Sequence, residues 1–271
     1  MSLPTAAEFT RRGVADHRKP LAGWCLGAVA YVTLIAAIYP SLAGSGSLDK
    51  LVQSYPDVLK TLFGISGSGS LGSGAGFLDA ELFSFMLPLL VLVLAIGSGA
   101  RTFAGEEDAG RLELLLAYPV RRRSSVLAKG LAVAVEVLAV CACTGIAIGV
   151  LSPIFDLGLS TGRVAQAISG LALLGLLFAW LALAVGAVTG NRGLAVALPA
   201  GLAVAGYLVS GLHSLAGWLD PFRLLSAFWW TGTAPLQHGI RGWGALVVAL
   251  AAVIALLAGA ALVGRRDLEV P

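Results

Sequence analysis

Glu136 is the carboxylate that stands well inside a long apolar stretch. An acid in that setting is costly, and it marks either a substrate or proton role or a structural, conformational one. The histidines His17, His213 and His238 are far apart in the chain, and none has a partner at metal-ligand spacing, so no metal centre is expected. No nucleophile elbow, zinc-protease helix or phosphate-binding loop motif occurs, so no catalytic residue is expected and any use of ATP belongs to another chain. Gly67, Gly69 and Gly72 match the spacing of a dinucleotide fingerprint. They lie in a Gly/Ser linker, without the strand before and the helix after that such a site requires.

The densest collection of charge runs from Arg101 to Lys129, RTFAGEEDAGRLELLLAYPVRRRSSVLAK. Glu106, Glu107 and Asp108 precede a short helix expected over Arg111 to Tyr118, where acids favour the positive N-terminal end. Leu112, Leu115 and Leu116 form an apolar face on that helix, while Arg111 and Glu113 point elsewhere. Pro119 ends it, and Arg121, Arg122, Arg123 and Lys129 suit lipid headgroups. A short amphipathic helix parallel to a membrane is a piece that a soluble partner can push; a bare interfacial anchor is the alternative.

The elements that position these residues follow from composition. With 58% hydrophobic and 12% charged residues, and a mean hydropathy of +0.89, the chain is a polytopic membrane protein rather than a soluble one. Apolar stretches at 21–42, 79–99, 124–151, 164–188, 194–215 and 243–263 read as spans within a single transmembrane domain. Residues 1–19 form a basic leader, retained rather than cleaved. Leu48 to Phe63 repeats apolar residues at helical spacing with Asp49, Lys50, Asp57 and Lys60 on the other face, which suits an amphipathic helix on the outer surface. Ser124 and Ser125 are expected as N-caps of the third span, and the aromatic stretch from His213 to Gly239 as an interfacial or partly re-entrant segment. Glycine pairs such as Gly23/Gly27, Gly145/Gly149 and Gly186/Gly190 suggest close helix packing. Cys25, Cys141 and Cys143 lie within apolar spans as small hydrophobes.

Six spans place both termini on one side. Arg11, Arg12, Arg18, Lys19, Arg101, Arg111, Arg121, Arg122, Arg123, Lys129, Arg192, Arg265 and Arg266 then share that side, which the positive-inside rule makes cytoplasmic.

The run Glu106-Glu107-Asp108-x-Gly110-Arg111-Leu112-Glu113-Leu114-Leu115-Leu116-Ala117-Tyr118-Pro119-Val120-x-Arg122, followed by Lys129, resembles the E-x-x-x-G-T-L-E-L-L-L-x-x-P-[VI]-x-R…K signature of ABC-2 type exporter permeases. Arg111 replaces the usual Thr. The resemblance implies an all-α fold of six spans, type V-like, with an amphipathic outer helix and a cytoplasmic coupling helix within the coupling segment 101–123. It implies a multi-pass protein of the bacterial plasma membrane that moves an amphipathic or lipid-like compound or drug outward. Its partners would be separate ATPase subunits, which bind ATP and Mg, a second permease subunit in a homodimer or heterodimer, and membrane lipids; nothing points to nucleic acid. By the same resemblance Glu106, Glu107, Asp108, Gly110, Arg111, Leu112, Glu113, Leu115 and Pro119 dock the ATPase. Phe85, Met86, Leu89, Leu202 and Tyr207 are candidates for the translocation route, to which Glu136 is added. The alternatives are a membrane-embedded enzyme or assembly subunit that uses Glu136 with His213 and His238, and an ATP-independent carrier.

Overall fold

The computed structural model describes residues 18–43, 56, 73–102, 122–232 and 234–263. All described regular structure is helical, and six helices are long and apolar enough to cross a membrane. In chain order these are α1 (Arg18–Ala43), a second span built from α2 (Gly74–Leu78), a π-turn (Asp79–Phe83) and α3 (Met86–Thr102), then α4 (Arg122–Ile154), α5 (Thr161–Thr189) and α6 (Arg192–Leu212). A 3₁₀ helix (Gly217–Leu225) and two short helices, α7 (Ala227–Thr231) and α8 (Pro235–His238), lead to the last span, α9 (Gly244–Leu262).

α5 is the hub, packing on α3, α4, α6 and α9. Its sequence makes this possible, because small residues occur on several sides and let backbones approach. A Cβ on Gly99 of α3 would overlap the Ala179 carbonyl of α5, and one on Gly259 of α9 would stand 2.8 Å from Ala184 Cα. At Gly175 of α5 the added carbon would meet Val91 of α3 at 2.7 Å and Val137 of α4 at 2.8 Å. The glycine pairs singled out by spacing behave differently. Gly23, Gly27 and Gly149 have open space around the added position, and Gly190 has φ 66° and caps α5. Spacing alone does not say which face of a helix meets protein.

Local signals set the boundaries. Ser73 accepts from Gly76 N and starts the second span at Gly74 rather than near Asp79. Ser160 caps α5, and the Asn191 side chain accepts from Leu194 N at the start of α6. Ser124 and Ser125 do not cap α4, which begins at Arg122 and carries both serines in its first turns. α4 also continues through Pro153 to Ile154, beyond the expected end near Leu151.

The bundle has two recognisable ends. At one, Tyr39 of α1 packs on Phe77 with centroids 5.6 Å apart, Gly74 abuts Leu157, and Gly239 lies against Arg163 and Gln166. At the other, Trp180 Nε1 donates to Gly130 O at 2.9 Å, and Val126 clusters with Ala187 and Ala260. The first end holds 74–83, 155–166 and the 213–243 excursion; the second holds the close of α3 and the start of α4. The expected outer helix at 48–63 lies, apart from Pro56, outside the described residues.

Candidate coupling and pathway sites

The proposed docking residues Glu106, Glu107, Asp108, Gly110, Arg111, Leu112, Glu113, Leu115 and Pro119 also lie outside the described residues. What the structure does describe is the pair of helix ends between which they run. Ser98 and Glu136 are both buried, at 3% and 6% exposure, and the Ser98 hydroxyl donates to Glu136 Oε2 at 2.7 Å. Arg101 Nη2 donates to Ser98 Oγ at 3.1 Å, bringing a cation to the same oxygen cluster. Lys129 Nζ reaches across from α4 to the Thr102 carbonyl at 2.8 Å, and the Thr102 hydroxyl bonds the Ser98 carbonyl one turn back.

Each link has a local cause. Thr102 is the last described residue of α3, and a lysine donating to a carbonyl near the C-terminal end of a helix interacts favourably with its dipole. Glu136 is two turns along α4 from Lys129, so both project from one side toward α3. A buried carboxylate demands partners, and a hydroxyl polarised by Arg101 supplies one at charge-assisted distance. The result is a clasp of polar groups between the last turns of α3 and the first turns of α4.

Glu136 is therefore apart from the other residues named for the pathway. Phe85 immediately precedes α3 and Met86 and Leu89 occupy its beginning, and Ser98 lies 13 residues beyond Phe85, about 20 Å at helical rise. At that first end Phe85 packs on Tyr207 with centroids 5.7 Å apart, and Tyr207 packs edge-on against Phe228 at 5.6 Å. Phe228 continues the chain to Phe178 at 6.4 Å. Leu89 and Leu202 are 41% and 57% exposed and Met86 is half-buried. The structure thus assembles Phe85 with Tyr207 and leaves Glu136 elsewhere.

Phe228 and Asp79 were not legible as site residues. Phe228 belongs to the re-entrant part of the excursion: the Ser226 hydroxyl donates to the Gly206 carbonyl at 2.7 Å, and Phe228 is buried at 5% between α3, α5 and α6. Asp79 is a second buried carboxylate, 1% exposed. Its two oxygens accept from Leu236 N and Gln237 N, both at 2.9 Å. The acid ties the start of the second span to α8, whose first N–H groups have no partner within so short a helix. The π-turn at Asp79–Phe83 directs it there, with Ser84 N and Oγ both donating to the Asp79 carbonyl at 2.8 Å.

His238 follows in the same α8, after the Asp79 partners Leu236 and Gln237. Glu136 meets Ser98 toward the opposite end of the same span, so Glu136 and His238 do not form one chemical centre. A groove of about 750 Å³ opens between α4 and α5 beside Gly145, Ser152, Asp156 and Ile168, and none of the pathway residues lines it. Among the described residues no three His, Cys, Asp or Glu side chains gather in a metal-binding group.

A central apolar hub, six helices long and apolar enough to cross a membrane and buried carboxylates used as inter-helix ties define a multi-pass membrane protein. The family comparison agrees: the family described as ABC-2 family transporter protein matches residues 14–227. The chain belongs to that family and is a multi-pass membrane permease subunit, a class served in general by an ABC ATPase. Over 109 residues it is 35% identical to the probable ABC transporter permease protein NosY of Stutzerimonas stutzeri, a match covering 35% of this chain and 38% of that protein. The chain thus matches little more than a third of that relative's length.

Proposed function

We propose that the chain is the membrane half of an ATP-driven exporter, moved by separate ATPase subunits that dock on the segment Glu106 to Pro119. The observation that carries this reading is the clasp of Ser98, Arg101 and Glu136 with Lys129 and Thr102. It ties together the two helices on either side of the segment, so a push on the segment displaces both as one lever. A loop anchored to one helix alone would swing without moving the other.

The distribution of cations supports a cytoplasmic setting for that end. Lys19, Arg101, Arg123, Lys129 and Arg192 lie at the clasp end, and Arg163, Arg223 and Arg241 at the other. The positive-inside rule favours the larger set as cytoplasmic. Export then proceeds toward the end that holds Phe85, Tyr207 and Phe228. An aromatic row and exposed leucines, with no buried charge among them, suit an amphipathic, lipid-like cargo. A second permease copy would cover part of the exposed face of α3 and α6. ATP closes the ATPase pair, and the cargo must bind the two resulting permease states unequally for that closure to move it.

The test is reconstitution of the full chain with its ATPase subunit in proteoliposomes that carry a fluorescent short-chain phospholipid. ATP-dependent movement of the probe between leaflets is expected. Equal movement without the ATPase subunit, or with a non-hydrolysable nucleotide, would contradict the proposal.

A further inference from the structure

The excursion between α6 and α9 holds a cationic and aromatic group that the transport reading does not use. Arg223 Nη1 pairs with Asp220 Oδ1 at 2.7 Å, and its guanidinium carbon lies 5.3 Å from the centroid of the Trp229 ring. Arg241 lies closer over the same ring, at 3.7 Å, and its Nε donates to the Trp229 carbonyl at 3.0 Å. Two guanidinium groups thus share one indole with one carboxylate between them, leaving a net positive charge. Among the described residues the terminal nitrogens of Arg241 have no protein acceptor. Desolvation, and then repulsion from Arg223, hold the Arg241 pKa below its ordinary value, and with one carboxylate beside two guanidinium groups the described cluster is one counter-ion short.

The surroundings indicate where that counter-ion comes from. None of the residues of the 3₁₀ helix Gly217–Leu225 is buried, and Trp218, Phe222, Leu224 and Leu225 are 72%, 49%, 54% and 82% exposed. Trp243, at the start of α9, is 75% exposed. These apolar groups lie level with the ends of two spans, α6 and α9, where tryptophan and arginine favour the boundary between acyl chains and headgroups. We propose that Arg223, Arg241 and Trp229 form a binding site for the phosphate headgroup of an anionic phospholipid in the leaflet at that end of the bundle. Trp218, Leu225 and Trp243 lie against its acyl chains. Arg241 offers its terminal N–H groups to the phosphate in the fork geometry that arginine provides. The proposal concerns a resident lipid and does not depend on the cargo of the transporter.

The experiment titrates the purified, delipidated full chain in detergent with phosphatidylglycerol and, separately, phosphatidylcholine, reading bound lipid by native mass spectrometry. The wild-type chain should prefer phosphatidylglycerol, and Arg223→Gln/Arg241→Gln should bind it roughly thirtyfold more weakly, the effect of two interfacial cations. Arg223→Lys/Arg241→Lys, which keeps both charges, should retain part of the preference and shows that loss in the glutamine pair is not misfolding. Arg192→Gln, at the opposite end of the bundle, should bind like wild type. Equal binding of the two lipids by the wild-type chain would overturn the proposal, as would a loss in Arg192→Gln matching that of the glutamine pair. Displacement of phosphatidylglycerol by inorganic phosphate as effectively as by excess lipid would also overturn it, in favour of a free-anion site.

Discussion

Ser98 on the last turns of α3 donates a 2.7 Å hydrogen bond to the buried Glu136 of α4. A neutral hydroxyl meeting a carboxylate across two helices makes a directional tie that an apolar contact between them would not. If the tie transmits force, removing the donor uncouples motion from ATP use. Ser98→Ala in the reconstituted complex should leave ATP hydrolysis in place and lower lipid movement by about tenfold, the worth of one charge-assisted hydrogen bond. Glu136→Gln keeps an acceptor and should retain most transport, whereas Glu136→Leu should not. Equal loss in the glutamine and leucine variants would instead indicate a proton or substrate role for the charge.

Asp79 serves stability at the other end of the same span. Asp79→Ala leaves the buried Leu236 N without an acceptor, at about 1–3 kcal/mol, and the part-buried Gln237 N as well, so the thermal unfolding midpoint in detergent should fall. Asp79→Asn keeps one oxygen acceptor and should fall less. An unchanged midpoint in Asp79→Ala would show that α8 is held by something else.

Gly97 and Gly99 form a matched pair on α3. A methyl group at Gly99 overlaps the Ala179 carbonyl, while one at Gly97 meets nothing within 4 Å. Gly99→Ala should therefore push α3 from α5 and lower the midpoint. Gly97→Ala should hold or raise it, since alanine favours helix by about 1 kcal/mol over glycine. The same loss in both would argue against the α3–α5 crossing.

The proposed sidedness is tested by labelling of single cysteines in a background without Cys25, Cys141 and Cys143. In intact cells a membrane-impermeant maleimide should label Arg241→Cys and not Arg123→Cys, with the pattern completed on lysis. The reverse pattern would invert the topology.

How far the chain could be read depended on what each feature requires. The membrane fold needs long apolar stretches, and those are local: six spans and the ABC-2 resemblance were legible from composition and the Glu106 to Lys129 run. Asp79 was not, because its ligands, Leu236 and Gln237, are more than 150 residues away, and no spacing rule joins a carboxylate to backbone N–H groups at that separation. Glu136 was flagged by its setting, but its partner Ser98, on another helix, was not legible. The glycine pairs failed for a related reason. Gly23 and Gly27 have the spacing of a packing motif and face open space, whereas Gly99, without a partner at that spacing, lies where α3 closely approaches the Ala179 carbonyl of α5. The aromatic stretch around Phe228 was placed at an interface by composition, and its re-entry into the bundle depends on the Ser226 to Gly206 bond, another long-range contact.

The central claim is that a separate ATPase docks on the segment between α3 and α4, and affinity co-purification tests it most directly. The full chain, tagged and co-expressed with its ATPase subunit, is isolated as wild type and as Glu107→Arg/Leu115→Asp, with folding of each checked by its thermal midpoint. The account predicts that the wild-type chain brings down an active ATPase and that the double variant, equally folded, does not. Recovery of an intact complex with undiminished ATPase activity from the double variant would contradict it.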